Sequence, residues 1–264
     1  MNLENFSLIF YDNPISRAYV NILKKNRIKD IKIIYLGTSK INFLKRRYIF
    51  FKNLEFPLRY IKNNRISKLI IEIQNYFNFD KNFIKEMYKY ENLSYFKNIE
   101  FISEKSINSN SLIKYLKKEK NLNYLISNSE ILKDVLNTKN NFYHIHPGYL
   151  PEIKGADASL YSIKYNDTIG CSFFKLNKKI DEGEIIYRFK VKFVKLNLEN
   201  NFFTTSELYK IWYSFFDPLL RAKMLDDIIN NRIDIEKNID YNNGNYYSFM
   251  DENEKNKIFK KIFY

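Results

Sequence analysis

The chain is poor in the residues that form disulfides and sharp turns or carry proton chemistry. Its 264 residues include one Cys, two His, six Gly and five Pro. The single Cys171 excludes an intrachain disulfide and fits a reducing compartment, so we expect the protein in the cytoplasm. Because His, Gly and Pro are so rare here, the places where they gather indicate special backbone shape or chemistry.

Long hydrophobic runs are also missing. No stretch of about 18 residues is apolar and free of charge, so we expect no membrane-spanning helix. Residues 1–10 are acidic and polar where a signal peptide needs basic residues and an apolar run. Neither GxGxxG nor GxxxxGK follows the first predicted strand. The common dinucleotide and phosphate loops are therefore absent at that turn.

Negative charge is in short supply, and the net charge is +14. Such an excess fits nucleic acid, an acidic membrane surface or an anionic small molecule. Only nine of the 44 basic residues are Arg, and the Lys residues are scattered along the chain. Sequence-specific readers of nucleic acid usually depend on Arg for bidentate contacts. We therefore expect an anionic small-molecule substrate and no specific nucleic acid, with a basic RNA-binding protein as an alternative.

The chain has 45% hydrophobic and 17% aromatic residues, enough for a substantial core. Apolar runs alternate with segments of helical spacing. The predicted strands are residues 6–11, 31–36, 99–102, 124–127, 142–146, 169–176 and 184–194. This alternation predicts an α/β domain over residues 1–198 with an open, mostly parallel sheet. Residues 199–264 are predicted to form a short, mainly helical appendage that packs back on the domain or builds a homodimer contact.

Two shorter helices are predicted within the α/β domain. One spans residues 129–136, with Ser129 as a possible N-cap. The other begins at Asp157, whose carboxylate is a suitable N-cap. Cys171 falls on an apolar strand and is expected in the core.

Both histidines, His144 and His146, lie on one predicted strand that ends at Pro147. Side chains at i and i+2 share a face of a strand, and open α/β sheets bind ligands at the carboxyl ends of their strands. A later polar loop contains Asp181, with Gly183 two residues on, where a ligand can approach the backbone. A neutral His beside a carboxylate is suited to act as a general base.

The same three side chains permit a second interpretation. A His-x-His pair with Asp181 as a third ligand is a candidate metal site. A metal-dependent hydrolase that uses His144, His146 and Asp181 is therefore an alternative function.

Residues 141–188 resemble the folate-dependent formyltransferases, which include methionyl-tRNA formyltransferase, glycinamide ribonucleotide transformylase and the sugar N-formyltransferases. That family has a strand ending in Asn-x-His-Pro, a Leu-Pro and Arg-Gly loop, a Gly-x-Ser/Thr strand and an Asp-x-Gly loop. The matching segments here are His146-Pro147-Gly148-Tyr149-Leu150-Pro151, Lys154-Gly155-Ala156, Gly170 with Ser172, and Ile180-Asp181-Glu182-Gly183-Glu184-Ile185-Ile186. The resemblance implies the family's Rossmann-like fold and 10-formyltetrahydrofolate as formyl donor.

The resemblance also implies roles for single residues. His146 matches the family's catalytic His and Asp181 its catalytic Asp. His144 stands where the family has an Asn that donates a hydrogen bond to the formyl oxygen, and a ring N–H is able to do the same. Lys154 replaces the family's loop Arg. The residues expected at the cofactor site are Ser127, Gly148, Ile180 and Gly183.

Among the family's acceptors, the sequence favours a nucleotide-linked amino sugar for surface polysaccharide. The segment after residue 198 is too short and too helical for the C-terminal β-barrel expected of the tRNA enzyme. Fold alone does not define a substrate, so a methionyl-tRNA formyltransferase-like activity stays an alternative.

Overall fold

Hydrophobic strands and amphipathic helices alternate along the chain and build a seven-stranded sheet. A computed structural model describes residues 6–38, 40, 44–46, 55–62, 66–120, 122–128, 130–198, 203–233, 239, 241 and 244–264. The strands are β1 Phe6–Tyr11, β2 Lys32–Leu36, β3 Ile99–Ile102, β4 Asn123–Ile126, β5 Asn141–His146, β6 Ile153–Gly155, β7 Thr168–Lys175, β8 Glu184–Lys192 and β9 Asn245–Tyr247. The α-helices are α1 Pro14–Lys25, α2 Glu55–Lys62, α3 Ser67–Tyr76, α4 Phe83–Met87, α5 Asn110–Leu116, α6 Ala158–Asn166, α7 Thr205–Ile211, α8 Asp217–Ile229 and α9 Glu252–Phe263.

The large sheet has the order β3-β2-β1-β4-β5-β7-β8. Strands β1 to β5 run parallel to one another, and β7 is antiparallel to both of its neighbours, β5 and β8. The prediction of an open, mostly parallel α/β sheet is confirmed. The strand order reverses between β1 and β4, which is where such sheets form ligand crevices. Ile126 at the end of β4 pairs with His144 near the end of β5.

The antiparallel strand β7 explains how a distant loop reaches the histidines. In the register of β5 with β7, Phe174 lies opposite His144 and Ser172 lies opposite His146. Because β7 runs against β5, it ends opposite Tyr143, and the amide of Leu176 donates to the Phe142 carbonyl. The β7–β8 loop therefore starts at the amino half of β5 and folds back to His146, where the amide of Gly155 holds Asp181.

The C-terminal segment is mainly helical, as expected, and packs back on the sheet domain. Helix α7 begins with a capping box between Thr204 and Glu207. It passes through one π-helical segment, Trp212–Phe216, directly before Pro218 in the first turn of α8. Proline removes a backbone donor, and π segments interrupt α-helices in this way. Helix α8 lies against α1, and its apolar residues belong to the main core.

Other contacts also join the segment to the domain. Backbone amides of Leu196 and Leu198 donate to carbonyls of α9, and β9 pairs with β6. Residues on both sides of position 198 share one core, and a domain boundary at that position stays a prediction. Cys171 is fully buried, as expected. None of the described helices is long and apolar enough to cross a membrane.

The prediction of a helix over residues 129–136 is wrong. Within the described residues of that range, a 3-10 helix, Asp134–Asn137, is the helical element. The preceding backbone is bonded to Asn108 instead. The side chain of Asn108 donates to the Ile131 carbonyl and accepts from the Lys133 amide. Side-chain amides that bond to backbone compete with helix formation. Ser129 lies outside the described residues.

Asp157 is at the N-cap position of α6, as predicted, but the expectation that its carboxylate caps the helix is wrong. Asp157 has a left-handed backbone, with φ of 51°, and its side chain makes no capping bond. Its carboxylate accepts hydrogen bonds from the hydroxyls of Tyr209 and Tyr213 and from the amide of Met250. The same carboxylate therefore fastens the C-terminal segment to the sheet domain.

Candidate active site

The two histidines lie at the carboxyl end of β5, on one face, as the spacing predicts. His146 is buried, and burial lowers its pKa below the ordinary value, against the opposing effect of Asp181. The pKa of His144 lies well below its ordinary value because of burial, the charge of Arg221 and the neighbouring His146. Both rings are therefore neutral at pH 7.

The hydrogen bonds of His146 define which ring nitrogen carries the proton. Its Nε2 lies 3.1 Å from the carbonyl oxygen of Ile153. A carbonyl oxygen only accepts, so Nε2 carries the proton and Nδ1 has a free lone pair. That Nδ1 faces Oδ2 of Asp181 at 3.7 Å. Two acceptors thus face each other, and the arrangement is completed by a donor between them or by protonation of Nδ1.

Asp181 is held in an unusual backbone conformation. Its φ is 54°, in the left-handed region that costs a non-glycine residue about 1 kcal/mol or more. The amide of Gly155 donates to Oδ2 at 2.8 Å and keeps the carboxylate in place. Gly183 lets the loop close, because a Cβ there would lie 1.7 Å from the Lys175 carbonyl oxygen. Strain of this kind, supported by neighbours, is a feature of functional sites.

Three of the residues expected at a cofactor site have internal roles instead. Ser127 is fully buried; its hydroxyl contacts that of Ser16 and donates to the Ile9 carbonyl. Gly148 leaves room for the His146 ring, since a Cβ there would lie 2.7 Å from Nε2. Gly183 shapes the Asp181 loop. Cofactor contact by these three stays a prediction.

Two clefts meet at Asp181. We call the first the inner cleft; it is lined by Ile126, Asn128, Glu130, Ile131, Leu132, His144 and residues 176–181, including Ile180. We call the second the basic cleft; it is lined by Pro151, Lys154, Asn177, Lys179, Asp181, Glu182, Ile185 and Tyr241. Asp181 borders both spaces, so a ligand in each would meet at its carboxylate.

The inner cleft carries polar atoms without partners. Both side-chain amide atoms of Asn128 are buried and unpaired among the described residues. Nδ1 of His144 is buried as well, and the Ile126 carbonyl is the protein acceptor that acts on this ring. A buried polar group left unpaired costs about 1–3 kcal/mol, so such groups usually have a ligand or water as partner. Ile131 and Ile180 expose apolar surface in the same cleft. A flat ligand with a polar edge suits this lining.

Sequence reasoning missed an ion pair under the histidines. Arg221 on α8 donates through Nε to Oδ2 of Asp217 at 2.8 Å. Its Nη1 donates to the Ile145 carbonyl and to Nε2 of His144, at 3.1 Å in the latter case. The signal in the sequence was an Asp and an Arg four residues apart in an apolar helix, a spacing that forms ion pairs. Asn128 carried no such signal.

These contacts weaken the metal interpretation. Nε2 of His144 accepts from the Arg221 cation, and Nε2 of His146 donates to Ile153. Neither of these nitrogens offers a lone pair to a metal ion, and Nδ1 of His144 carries a proton, so the two histidines together leave one free ring nitrogen, Nδ1 of His146. Across the described ranges, no group of three His, Cys, Asp or Glu side chains is arranged to hold one. A metal-dependent hydrolase built on His144, His146 and Asp181 is therefore not supported.

No family model and no curated protein matches the sequence. Solved structures do match. A sugar N-formyltransferase from a Shewanella species is 15% identical over 92% of this chain and 76% of its own, with a TM-score of 0.49. A 4-N formyltransferase from Francisella tularensis is 19% identical over 94% and 77%, with a TM-score of 0.46.

A third structure is an N-formyltransferase from Helicobacter canadensis in complex with folinic acid and dTDP-3-aminofucose. It is 17% identical over 92% of this chain and 70% of its own, with a TM-score of 0.48. Likeness at these levels assigns no activity to the present chain. A function has to be argued from its own site.

Proposed function

We propose that the protein is an N-formyltransferase that moves a formyl group from 10-formyltetrahydrofolate to the amine of a small anionic acceptor. One observation carries this proposal: Asp181 borders both clefts, and its Oδ2 faces Nδ1 of the buried His146 at 3.7 Å, acceptor to acceptor. An amine is a donor that completes such a pair, as a water or a hydroxyl would. The formyltransferase-like motifs of residues 141–188 point to the same reaction.

The resting arrangement of His146 suits proton removal from an attacking amine. At neutral pH the ring is uncharged, because burial lowers its pKa. Nδ1 takes the proton that the amine loses as its nitrogen bonds to the formyl carbon. The resulting imidazolium forms an ion pair with Asp181, and the same proton then passes to the departing nitrogen of the donor. Positioned general bases of this kind contribute roughly 10²–10⁴ in rate.

The inner cleft fits the formyl donor. The unpaired amide of Asn128 offers both a donor and an acceptor, which matches the polar edge of a pterin ring. Ile131, Leu132 and Ile180 offer the apolar surface that its faces need. When bound, the donor supplies the formyl group. His144 lies in the same cleft, where a ring N–H is available to the formyl oxygen.

The basic cleft fits an acceptor that carries phosphate. Lys154 and Lys179 both line it, and each now pairs with Glu182, at 3.2 and 3.3 Å. A diphosphate would compete for the same two cations. A nucleotide-linked amino sugar combines the required amine with such a group, and we propose this class, with the reaction in the cytoplasm. The two ligands are of the same kinds as those in the Helicobacter canadensis structure.

The test is a binding screen followed by product analysis. Folate derivatives and nucleotide-linked amino sugars should each raise the melting temperature, because a ligand that binds only the native state stabilises it. Mass spectrometry should then find one formyl group added to the acceptor. Initiator methionyl-tRNA serves as a competing acceptor. No stabilisation by any folate, together with no formylated product, would overturn the proposal.

A further inference from the structure

Arg221 contacts Nε2 of His144, the ring nitrogen opposite Nδ1. The guanidinium is nearly buried, at 8% exposure, and its partner Asp217 is fully buried. Nε and Nη2 face the Asp217 carboxylate, and Nη1 divides its hydrogens between the Ile145 carbonyl and Nε2 of His144. Helix α8 thereby reaches β5 through one side chain.

This contact decides the tautomer of His144. An arginine is always protonated and offers donors only, so Nε2 of His144 must accept. A neutral imidazole that accepts at Nε2 carries its proton on Nδ1. That nitrogen is buried, and the Ile126 carbonyl acts on the ring as an acceptor. Because Nε2 accepts from Arg221, Nδ1 is the nitrogen that donates, to the Ile126 carbonyl at rest and, in the proposed reaction, to the formyl oxygen.

We propose that Arg221 is a positioning residue that fixes His144 as the Nδ1–H tautomer, so that Nδ1 donates to the formyl oxygen during transfer. This inference rests on the proposed formyltransferase function. It explains how a His serves at a position where the resembling family has Asn. An Asn amide donates without help, whereas a His donates from Nδ1 only if the proton is kept there.

The arrangement adds charge to the donor. The Arg221 cation polarises the ring through Nε2 while its own charge is balanced by Asp217. A preorganised donor in a buried site is most effective at the moment negative charge develops on oxygen. The imidazole remains neutral, so no proton is transferred at His144.

The first test is the tautomer itself, measured without turnover. The chain has only two histidines, so a protein labelled with ¹⁵N-histidine gives two imidazole signal sets. Loss of one set in His146→Asn assigns the other to His144. We expect a protonated Nδ1 and an unprotonated Nε2 at pH 7, and a shift toward protonated Nε2 in Arg221→Met. A protonated Nε2 in the wild-type protein, or an unchanged tautomer in Arg221→Met, would overturn the inference.

The second test is a kinetic cycle with Arg221→Met, His144→Asn and the double variant. In the wild-type background Arg221→Met should lower kcat at least about 10-fold, within the roughly 10²–10³-fold cost of losing an oxyanion donor. In the His144→Asn background the same change should cost much less, because Asn needs no tautomer control. Equal losses in both backgrounds would mean that Arg221 acts only on structure, and would refute the proposed role.

Controls separate folding from function. Removal of Arg221 leaves the buried Asp217 charge unpaired, which destabilises a protein. Asp217→Asn/Arg221→Met removes both charges and replaces the single variant if that one does not fold. Arg232→Met is a matched control, since this arginine follows the same helix and is 53% exposed. If the wild-type protein transfers no formyl group, the proposed function is rejected, whereas the measured tautomer of His144 is unaffected.

Discussion

The two clefts that meet at Asp181 differ in the chemistry of the residues that line them. Beside charged residues, among them Lys178 and the shared Lys179, the inner cleft has apolar isoleucines and the unpaired amide of Asn128. The basic cleft has two lysines whose charges are already balanced by Glu182. Under the proposed function, the amide and the isoleucines receive the flat ring of the formyl donor, and the two lysines of the basic cleft exchange Glu182 for a phosphate.

The two clefts share part of their lining. Asn177, Lys179 and Asp181 belong to both clefts, so ligands in the two clefts would lie against the same short loop. Asp181, which faces the buried His146, is one of these shared residues at the junction of the clefts. Changes at the junction should therefore affect chemistry, whereas changes in one cleft should affect the binding of one ligand only.

The largest effect is expected at the junction. His146→Asn removes the proton acceptor and should lower kcat roughly 10²–10⁴-fold. The melting temperature and circular dichroism should show that the fold is intact. Steady-state assay of formyl transfer checks the prediction, and near wild-type turnover in this variant would exclude the proposed mechanism.

The next effect is expected at His144. His144→Ala removes the donor to the formyl oxygen and should lose roughly 10²-fold or more in kcat. His144→Asn supplies an amide donor and should keep substantial activity. The comparison is made at saturating concentrations of both substrates. If wild type and both variants turn over equally, position 144 has only a structural role.

A smaller, crossed effect should separate the two clefts. Lys154→Ala should raise the KM for the acceptor about 10-fold, the loss of one charged contact of about 1.4 kcal/mol, and leave the KM for the folate unchanged. Asn128→Ala should raise the KM for the folate and leave the KM for the acceptor unchanged. Lys195→Ala is the matched control, because this lysine is exposed and lines neither cleft. Equal changes in both KM values for either variant would contradict the assignment of one ligand to each cleft.

The smallest effect concerns the net charge of +14, which belongs to the whole chain and not to either cleft. Binding of generic RNA should be weak and should vanish by physiological salt, since it depends on released counterions. The acceptor, held by placed groups, should still bind there. A salt titration of both ligands on one preparation decides between them. RNA binding at roughly micromolar affinity that survives about 200 mM salt would favour an RNA-directed function.

Much of the fold was predictable because its signals are local. The strand β3 was predicted at its observed bounds, and β5 within one residue, from apolar runs and their breakers. The helix over residues 129–136 failed because Asn108, distant in sequence, bonds to its backbone. The Asp157 cap failed for a similar reason, since two tyrosines of the C-terminal segment use that carboxylate. Local pattern carries no information about partners that arrive from elsewhere in the chain.

The sequence by itself determined which residues are rare enough to matter. Composition and period alone give two histidines at i and i+2 on a strand and one aspartate two residues before a glycine. Only the tertiary structure decided how they act. The fold-back of the β7–β8 loop onto Gly155 brings Asp181 to His146, the Ile153 carbonyl assigns the proton of His146, and α8 places Arg221 against His144. A tautomer depends on which donor or acceptor lies at each ring nitrogen, and only packing brings those groups together.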